Sequence, residues 1–284
     1  MRFGNVSLHV VSDGTYWEDG GGLFGLVPKA LWSGVATADE LNRIMFESRS
    51  LLIETEQQRI LVDTGHGDKL SDKQRGFINL QGEHRLLGSL EALGVGPLDI
   101  DVVINTHLHD DHCGGNTLQD ESGEIVATFP WATYCVQRLE LADASFPNER
   151  TRATYLAENW EPLQRSGQLR VLTGDTRLTP EVRVVVTPGH TRAHQCVIIE
   201  SAGHTAMFLG DLASWPVHLE RLAWVPAYDL EPMISIETKR NVARWAVDNQ
   251  VLLFFEHHPG IAAGYLHPTE RSDRFQLKEV PLDD

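Results

Sequence analysis

Cysteine is scarce in this 284-residue sequence: Cys113, Cys135 and Cys196, with no C-x-x-C pair. An odd, scattered set argues against a disulfide framework and for a reducing compartment, so the expected location is the cytoplasm. No run of about 18 apolar residues occurs, so no membrane span and no membrane partner are expected. The opening residues alternate apolar and polar and lack the hydrophobic core of a signal peptide. Positive charge is short as well. Against 40 Asp and Glu stand 24 Lys and Arg, a net charge of −16 that repels phosphate backbones and disfavours nucleic acid as a partner. Low-complexity tracts, charge blocks and Pro- or Ser-rich linkers are missing, so residues 1–284 read as one domain acting on a small molecule, alone or as a homodimer.

What is present is a series of short apolar runs. Residues 3–11 alternate as a strand, and a Gly-rich irregular segment follows over 19–34. Residues 51–54 and 59–62 read as a hairpin, 83–94 as a helix ended by Gly94, and 100–105 as a buried strand. Further strands are expected at 124–129, 134–136, 169–172, 183–187, 196–199, 206–209 and 251–255. Helices are expected at 137–144, 149–159 and 237–248. Strands in both halves with helices between them predict sheets packed together and covered by helices.

Five of the apolar runs end on a metal-ligand type. One ends at Asp63, another at His107-Leu108-His109-Asp110-Asp111-His112. The others end at His190, at Asp211, and at His257 with His258. In helix-covered sheets, ligands gather at the carboxyl ends of strands, so these ends imply one convergent site. Residues i and i+2 of an extended segment point the same way, which lets His107 and His109 hold one ion. Asp111 and His112, in the following turn, can aim at a second. His190 completes a three-His site, Asp211 can bridge two ions, and His257 can join Asp111 and His112. Imidazole and carboxylate suit zinc, with iron, manganese or cobalt as alternatives. His194 reads as a loop histidine near the rim. His66, His84, His204, His218 and His267 have no convergent partners and read as surface or core-edge residues. Cys113 reads as a small buried residue at a helix start. The irregular 19–34 segment carries Phe24 and Trp32, expected as walls of an apolar substrate pocket.

These motifs resemble the metallo-β-lactamase-fold hydrolase superfamily. Its HxHxDH pattern stands at His107–His112, its later His, Asp and His at His190, Asp211 and His257, and its early strand-end Asp at Asp63. The resemblance runs in order from about residue 50 to 260. It implies an α/β fold, a four-layer αββα sandwich with the metals at one edge, and it assigns Asp63 to orienting a ligand. It also favours His257 over His258 as the last ligand. Two adjacent cations lower the pKa of a shared water, which then attacks an electron-poor carbonyl while Asp111 orients it and passes a proton. The stretch through residues 128–130, 187–191 and 208–212 is most similar to the branch of lactonases and methyl-parathion-type hydrolases, which points to carboxylic ester or lactone cleavage. That branch often carries Tyr or His three residues after the bridging Asp, where this chain has Ser214, a candidate pocket residue. The alternatives are a phosphotriesterase or phosphodiesterase on the same site and a mononuclear iron dioxygenase of the same fold. A β-lactamase is disfavoured by Asp211, where its best-known class has Cys, and a flavodiiron protein by His109, where that family has Glu.

Overall fold

The computed structural model describes residues 1–80, 82, 85–271 and 274–282. His84, and part of the helix expected from 83, lie outside the described residues. The first sheet takes β1 (Arg2–Phe3), β2 (Val6–Asp19), β3 (Arg43–Glu54), β4 (Arg59–Val62) and β5 (Val102–Ile104). A two-stranded ribbon of β6 (Thr117–Gln119) and β7 (Ile125–Ala127) interrupts it before β8 (Thr133–Gln137) and β9 (Leu169–Leu172) complete it. The second sheet runs in simple order through β10 (Thr176–Arg177), β11 (Val182–Val186), β12 (Gln195–Ser201), β13 (His204–Phe208), β14 (Leu252–Phe254), β15 (Ala263–Pro268) and β16 (Phe275–Glu279). The helices are α1 (Gly20–Phe24), α2 (Lys29–Trp32), α3 (Asp72–Phe77), α4 (Arg85–Glu91), α5 (Asp110–Cys113), α6 (Arg138–Ser145), α7 (Glu161–Ser166), α8 (Val217–Glu220) and α9 (Pro232–Asp248).

The layers follow from which side chains each strand buries. Leu51, Ile53, Ile60, Val62 and Ile104 of the first sheet meet Val184, Val197, Phe208 and Phe254 of the second in the central core. On the outer face of the first sheet, Leu52, Leu61 and Val103 pack under Leu86 and Leu90 of α4 and Leu163 of α7. On the outer face of the second, Ile198, Met207 and Leu253 pack under Leu219 of α8 and Ala243 and Ala246 of α9. This is the four-layer α/β sandwich. Strands β4, β5, β8 and β9 run parallel, as do β13 and β14. Both faces of the inner ones are covered, which is why they read as continuous apolar runs. Backbone bonds from Glu47 N to His257 O (3.1 Å) and from Arg49 N to Glu256 O (3.3 Å) tie the two sheets together beside the last strand end.

Several expectations are corrected. β2 extends to Asp19, past an irregularity between Ser12 and Thr15 where Gly14 takes φ +95°. Residues 19–34 are not free loop: the Asp19 carboxylate accepts from Gly21 N at 2.7 Å and caps α1, and α2 follows. Residues 149–159 are not a helix but turns closing in one 3-10 turn at Ala157–Asn159, although Asn148 Oδ1 accepts from Arg150 N at 2.9 Å as a helix cap would. The segment expected at 124–129 is only the short β7. β15 and β16 were not expected at all. Among the described residues no helix is long and apolar enough to cross a membrane.

Candidate metal centre

The site lies where the carboxyl ends of β4, β5, β11, β13 and β14 meet. β5 leads through Asn105 and Thr106 into the histidine run, and α5 then turns Asp111 and His112 back toward the strand ends. His107, His109 and His190 bring ligand atoms within 4.8 Å of one another; so do Asp111, His112 and His257, and so do His107, His112 and Asp211. His107 Nε2 and His190 Nε2 stand 3.0 and 3.1 Å from the same atom, His109 Nδ1. His257 Nε2 faces His112 Nε2 at 3.2 Å. One Asp211 oxygen lies 3.2 Å from His190 Nε2 and 3.4 Å from His112 Nε2, and the other lies 3.3 Å from His257 Nε2.

The ring nitrogens that do not face the centre are held from behind. Thr106 Oγ1 lies 3.0 Å from His107 Nδ1, an Asp229 oxygen 3.1 Å from His190 Nδ1, and the Glu47 carbonyl 2.9 Å from His257 Nδ1. His112 Nδ1 has two carboxylates at 3.1 Å, Asp63 and Glu256. Asp63, in a left-handed conformation (φ +56°), also accepts from Thr106 N at 2.7 Å and Thr106 Oγ1 at 2.6 Å. Such partners fix ring tautomer and direction.

The donor set fits metal ions. Facing imidazole nitrogens cannot all be satisfied by one another, since a neutral ring has one N–H and one lone pair. Lone pairs and carboxylate oxygens turned to common points are what a cation requires. Proton affinities show the same demand. Burial opposes ionisation of Asp211, yet His190, His257 and His112 hold its carboxyl well below the usual range. Burial pushes His109 down to about 3, with His190 adding to the effect. His112 is raised well above its ordinary value against its burial, by Glu256 first and then Asp111 and Asp211.

The structure brings together all seven histidine and aspartate candidates and places Asp63 behind His112. His258 turns away: its Nδ1 accepts from Gly260 N and Ile261 N at 3.1 and 2.8 Å. Cys113 is buried in α5 and its Sγ donates to Leu108 O at 3.3 Å. His194 is not at a rim. It is buried behind the centre, where its Nε2 accepts from Asp211 N at 3.1 Å and its Nδ1 meets Thr187 Oγ1 at 2.8 Å. His218 is buried too, between Trp215 N and Leu23 O. His66 is buried beside the site, whereas His204 and His267 are exposed.

A cavity of about 970 Å³ opens over the centre. Ser214 lines it and donates to Asp211 Oδ1 at 2.8 Å. Phe24 and Trp32 are not among its lining residues. They stack at 5.0 Å in a buried aromatic cluster, with Trp215 edge-on to Phe24 at 5.9 Å. The apolar wall comes instead from Phe46, Leu70, Phe77, Ile78 and Leu230.

Sequence reasoning missed several residues. Tyr16 is buried on β2 and donates to Asp111 Oδ2 at 3.1 Å. The Glu140 carboxylate accepts from Leu108 N (3.0 Å), Tyr155 Oη (2.9 Å) and Thr191 Oγ1 (2.6 Å), so it ties the His107–His109 segment to the His190 turn. Asp229 and Glu256 were also missed. Glu256 had a signal, an acid at the end of an apolar strand, while a lone Asp in a loop carries none.

Two facing sheets with a buried cluster of histidines and carboxylates at one edge define an α/β-sandwich metal-binding enzyme. The metallo-beta-lactamase superfamily profile matches residues 45–266, and the chain belongs to that superfamily. An N-acyl homoserine lactonase of Bacillus cereus is 32% identical over 217 residues, covering 72% of this chain and 79% of the relative. One from Bacillus sp. is 28% identical over 218 residues, with the same shares covered. A probable metal-dependent hydrolase from Staphylococcus aureus superposes with a TM-score of 0.87 at 31% identity, over 99% of this chain and 100% of that one. A dizinc quorum-quenching lactonase shares the fold, with a TM-score of 0.81 at 21% identity over 100% of this chain and 97% of the other. The protein is thus a lactonase-like hydrolase whose histidines and aspartates suit a metal site.

Proposed function

We propose that the chain is a binuclear metallohydrolase, loaded with zinc, that cleaves a carboxylic ester or a lactone. The observation that carries this is Asp211, whose two oxygens face different histidines, His190 and His257, on the two sides of the cluster. His107, His109 and His190 would hold one ion, Asp111, His112 and His257 the other, with Asp211 shared between them. Bound ions supply Lewis acidity that polarises the carbonyl and makes water a stronger acid. Asp111 takes up and passes on the proton. Tyr16 donates to one of its oxygens and fixes its direction. Thr106, Asp229, Asp63, Glu256 and the Glu47 carbonyl keep the imidazoles aimed, and the apolar wall at Phe46, Phe77 and Ile78 keeps water from a bound acyl or alkyl chain. The N-acyl homoserine lactonases among the relatives support a lactone within that substrate class.

Elemental analysis with a panel of lactone, ester, phosphotriester and thioester substrates tests the proposal. Two zinc ions per chain with ester or lactone turnover are expected. One iron per chain with Asp111 and His112 unengaged, or turnover confined to phosphotriesters, would overturn it.

A further inference from the structure

Glu140 is a fully buried acid that belongs neither to the ligand cluster nor to the cavity wall. It stands in the first turn of α6, a place where Glu ordinarily faces water. A buried carboxyl group needs donors around it, and three are present. Oε1 accepts from Leu108 N at 3.0 Å and from Tyr155 Oη at 2.9 Å, and Oε2 accepts from Thr191 Oγ1 at 2.6 Å. Each donor adjoins a metal ligand. Leu108 lies between His107 and His109, beyond the end of β5 at Ile104, so the Glu140 side chain stands where a strand partner would. The Tyr155 ring packs against the His109 ring with centroids 4.9 Å apart. Thr191 directly follows His190. One carboxyl group thus reaches two ligands of the first sheet through Leu108 and Tyr155, and a ligand of the second sheet through Thr191.

The other half of the centre leans on different groups. Asp63 and Glu256 lie behind His112, the Glu47 carbonyl behind His257, and Tyr16 donates to Asp111. Among the described residues Glu140 bonds none of them.

We infer that Glu140 is a positioning residue for one half of the metal centre: it sets the spacing of His107, His109 and His190 as a unit and leaves Asp111, His112 and His257 to their own supports. The inference takes two ions from the reading above and adds which of them depends on this carboxyl group. Three imidazoles hold an ion only within a narrow range of spacing. The Leu108 peptide fixes how His107 and His109 diverge. Asp229 fixes how the His190 ring turns, and the Thr191 hydroxyl fixes where the His190 backbone stands against the other two. Glu140 does not touch the cavity, so its effect on the reaction passes through the ligands.

Chelator titration of the zinc-loaded protein, followed by elemental analysis, reads this without any turnover. Thr191→Val keeps the shape of the side chain and removes the hydroxyl alone. One of the two ions should then be held about ten- to a hundredfold less tightly, the usual effect of losing a group behind a ligand, and the other as before. Thr191→Ser, which keeps the hydroxyl, should hold both. Added to His257→Ala, Thr191→Val should weaken the remaining ion by the same factor; added to His190→Ala, it should change nothing further. Glu140→Leu should act in the same direction, and Thr191→Val carries the test if that variant does not fold. Equal weakening of both ions would describe a residue that supports the fold alone, and that outcome or no change in either ion overturns the inference. An unaltered protein that holds a single ion overturns the two-ion reading instead. Thr191→Val still decides in that case: an ion lost to weaker chelation keeps Glu140 in its role, and an ion held unchanged removes it.

Discussion

Asp211 illustrates how much one side chain can decide. Its carboxylate is the group within reach of both halves of the cluster, and its own N–H is held by the buried His194. Asp211→Ala is expected to release at least one metal ion per chain. Activity should fall by more than about a hundredfold, the upper range for residues that merely orient ligands. His257→Ala should likewise cost an ion, whereas His258→Ala should leave the metal content intact, since His258 serves backbone N–H groups. Elemental analysis of the three variants checks this. Ser214 bears on selectivity instead. Its hydroxyl is occupied with Asp211, so position 214 offers no phenol to a substrate carbonyl. Weak turnover of acyl homoserine lactones is expected, and Ser214→Tyr should raise kcat/KM for them. Efficient turnover of long-chain homoserine lactones by the unaltered protein would sink that expectation.

Elements show why some of the molecule was legible in sequence and some was not. The ligand-bearing ends of β4, β5, β13 and β14 were readable because a buried strand with a parallel neighbour leaves a continuous apolar run, while β11, antiparallel to both its neighbours, was readable from its valines. The groups behind the ligands were not. Glu140 sits on α6 among ordinary helix residues, and Asp229 in a loop, and only tertiary contact gives either a meaning. Segment 19–34 misled for a related reason: its glycines suggested flexibility, yet Gly20 is the surface on which Trp32 lies, with a Cβ there 2.8 Å from the indole. Since Phe24 and Trp32 bury one another behind Trp215, Phe24→Ala should cost about 3–5 kcal/mol of stability, readable by denaturant titration. Metal content should not change. Helix α9 carries a second element-scale consequence. Lys239 is fully buried there, donating to Trp224 O at 2.8 Å, and burial lowers its pKa from 10.5 to about 8 in spite of Asp229. The unfolded chain keeps that proton to higher pH than the folded one, so the cost of burying the charge is fully present below pH 8 and is relieved as pH rises toward 10.5. At about 1.4 kcal/mol per pKa unit, the relief is about 3 kcal/mol. Subtracting the stability–pH curve of Lys239→Met from that of the unaltered protein should show this rise; a flat difference would refute it.

At the scale of the whole molecule the cluster joins two sheets. His107, His109, Asp111 and His112 follow the first sheet's β5, while His190, Asp211 and His257 follow β11, β13 and β14 of the second. Sheets packed together under helices were legible from the order of strands and helices, but the four-layer arrangement with the site at one edge came only through the family resemblance, because alternation in a sequence says which face of a strand is buried but not which sheet lies opposite. Ions held across this edge bind the folded chain and not the unfolded one, so binding free energy becomes folding free energy. Without them, imidazole nitrogens at 3.0–3.2 Å from one another are left in a buried setting with too few protons to share. Metal removal is therefore expected to lower stability as well as activity. A site filled at about a thousand times its Kd contributes about 4 kcal/mol, and for a chain of this size each kcal/mol moves Tm by about 2–4 °C. Chelation should thus lower Tm by about 10 °C, and restoring zinc should reverse the shift. Asp211→Ala should show a smaller response to chelator, having fewer ions to lose. The measurement is a thermal melt of metal-loaded, chelated and reloaded protein, with elemental analysis of each sample. A chelated protein shown to be metal-free that melts at the same temperature as the loaded one would mean that the strands alone fix this edge and that the ions serve chemistry only.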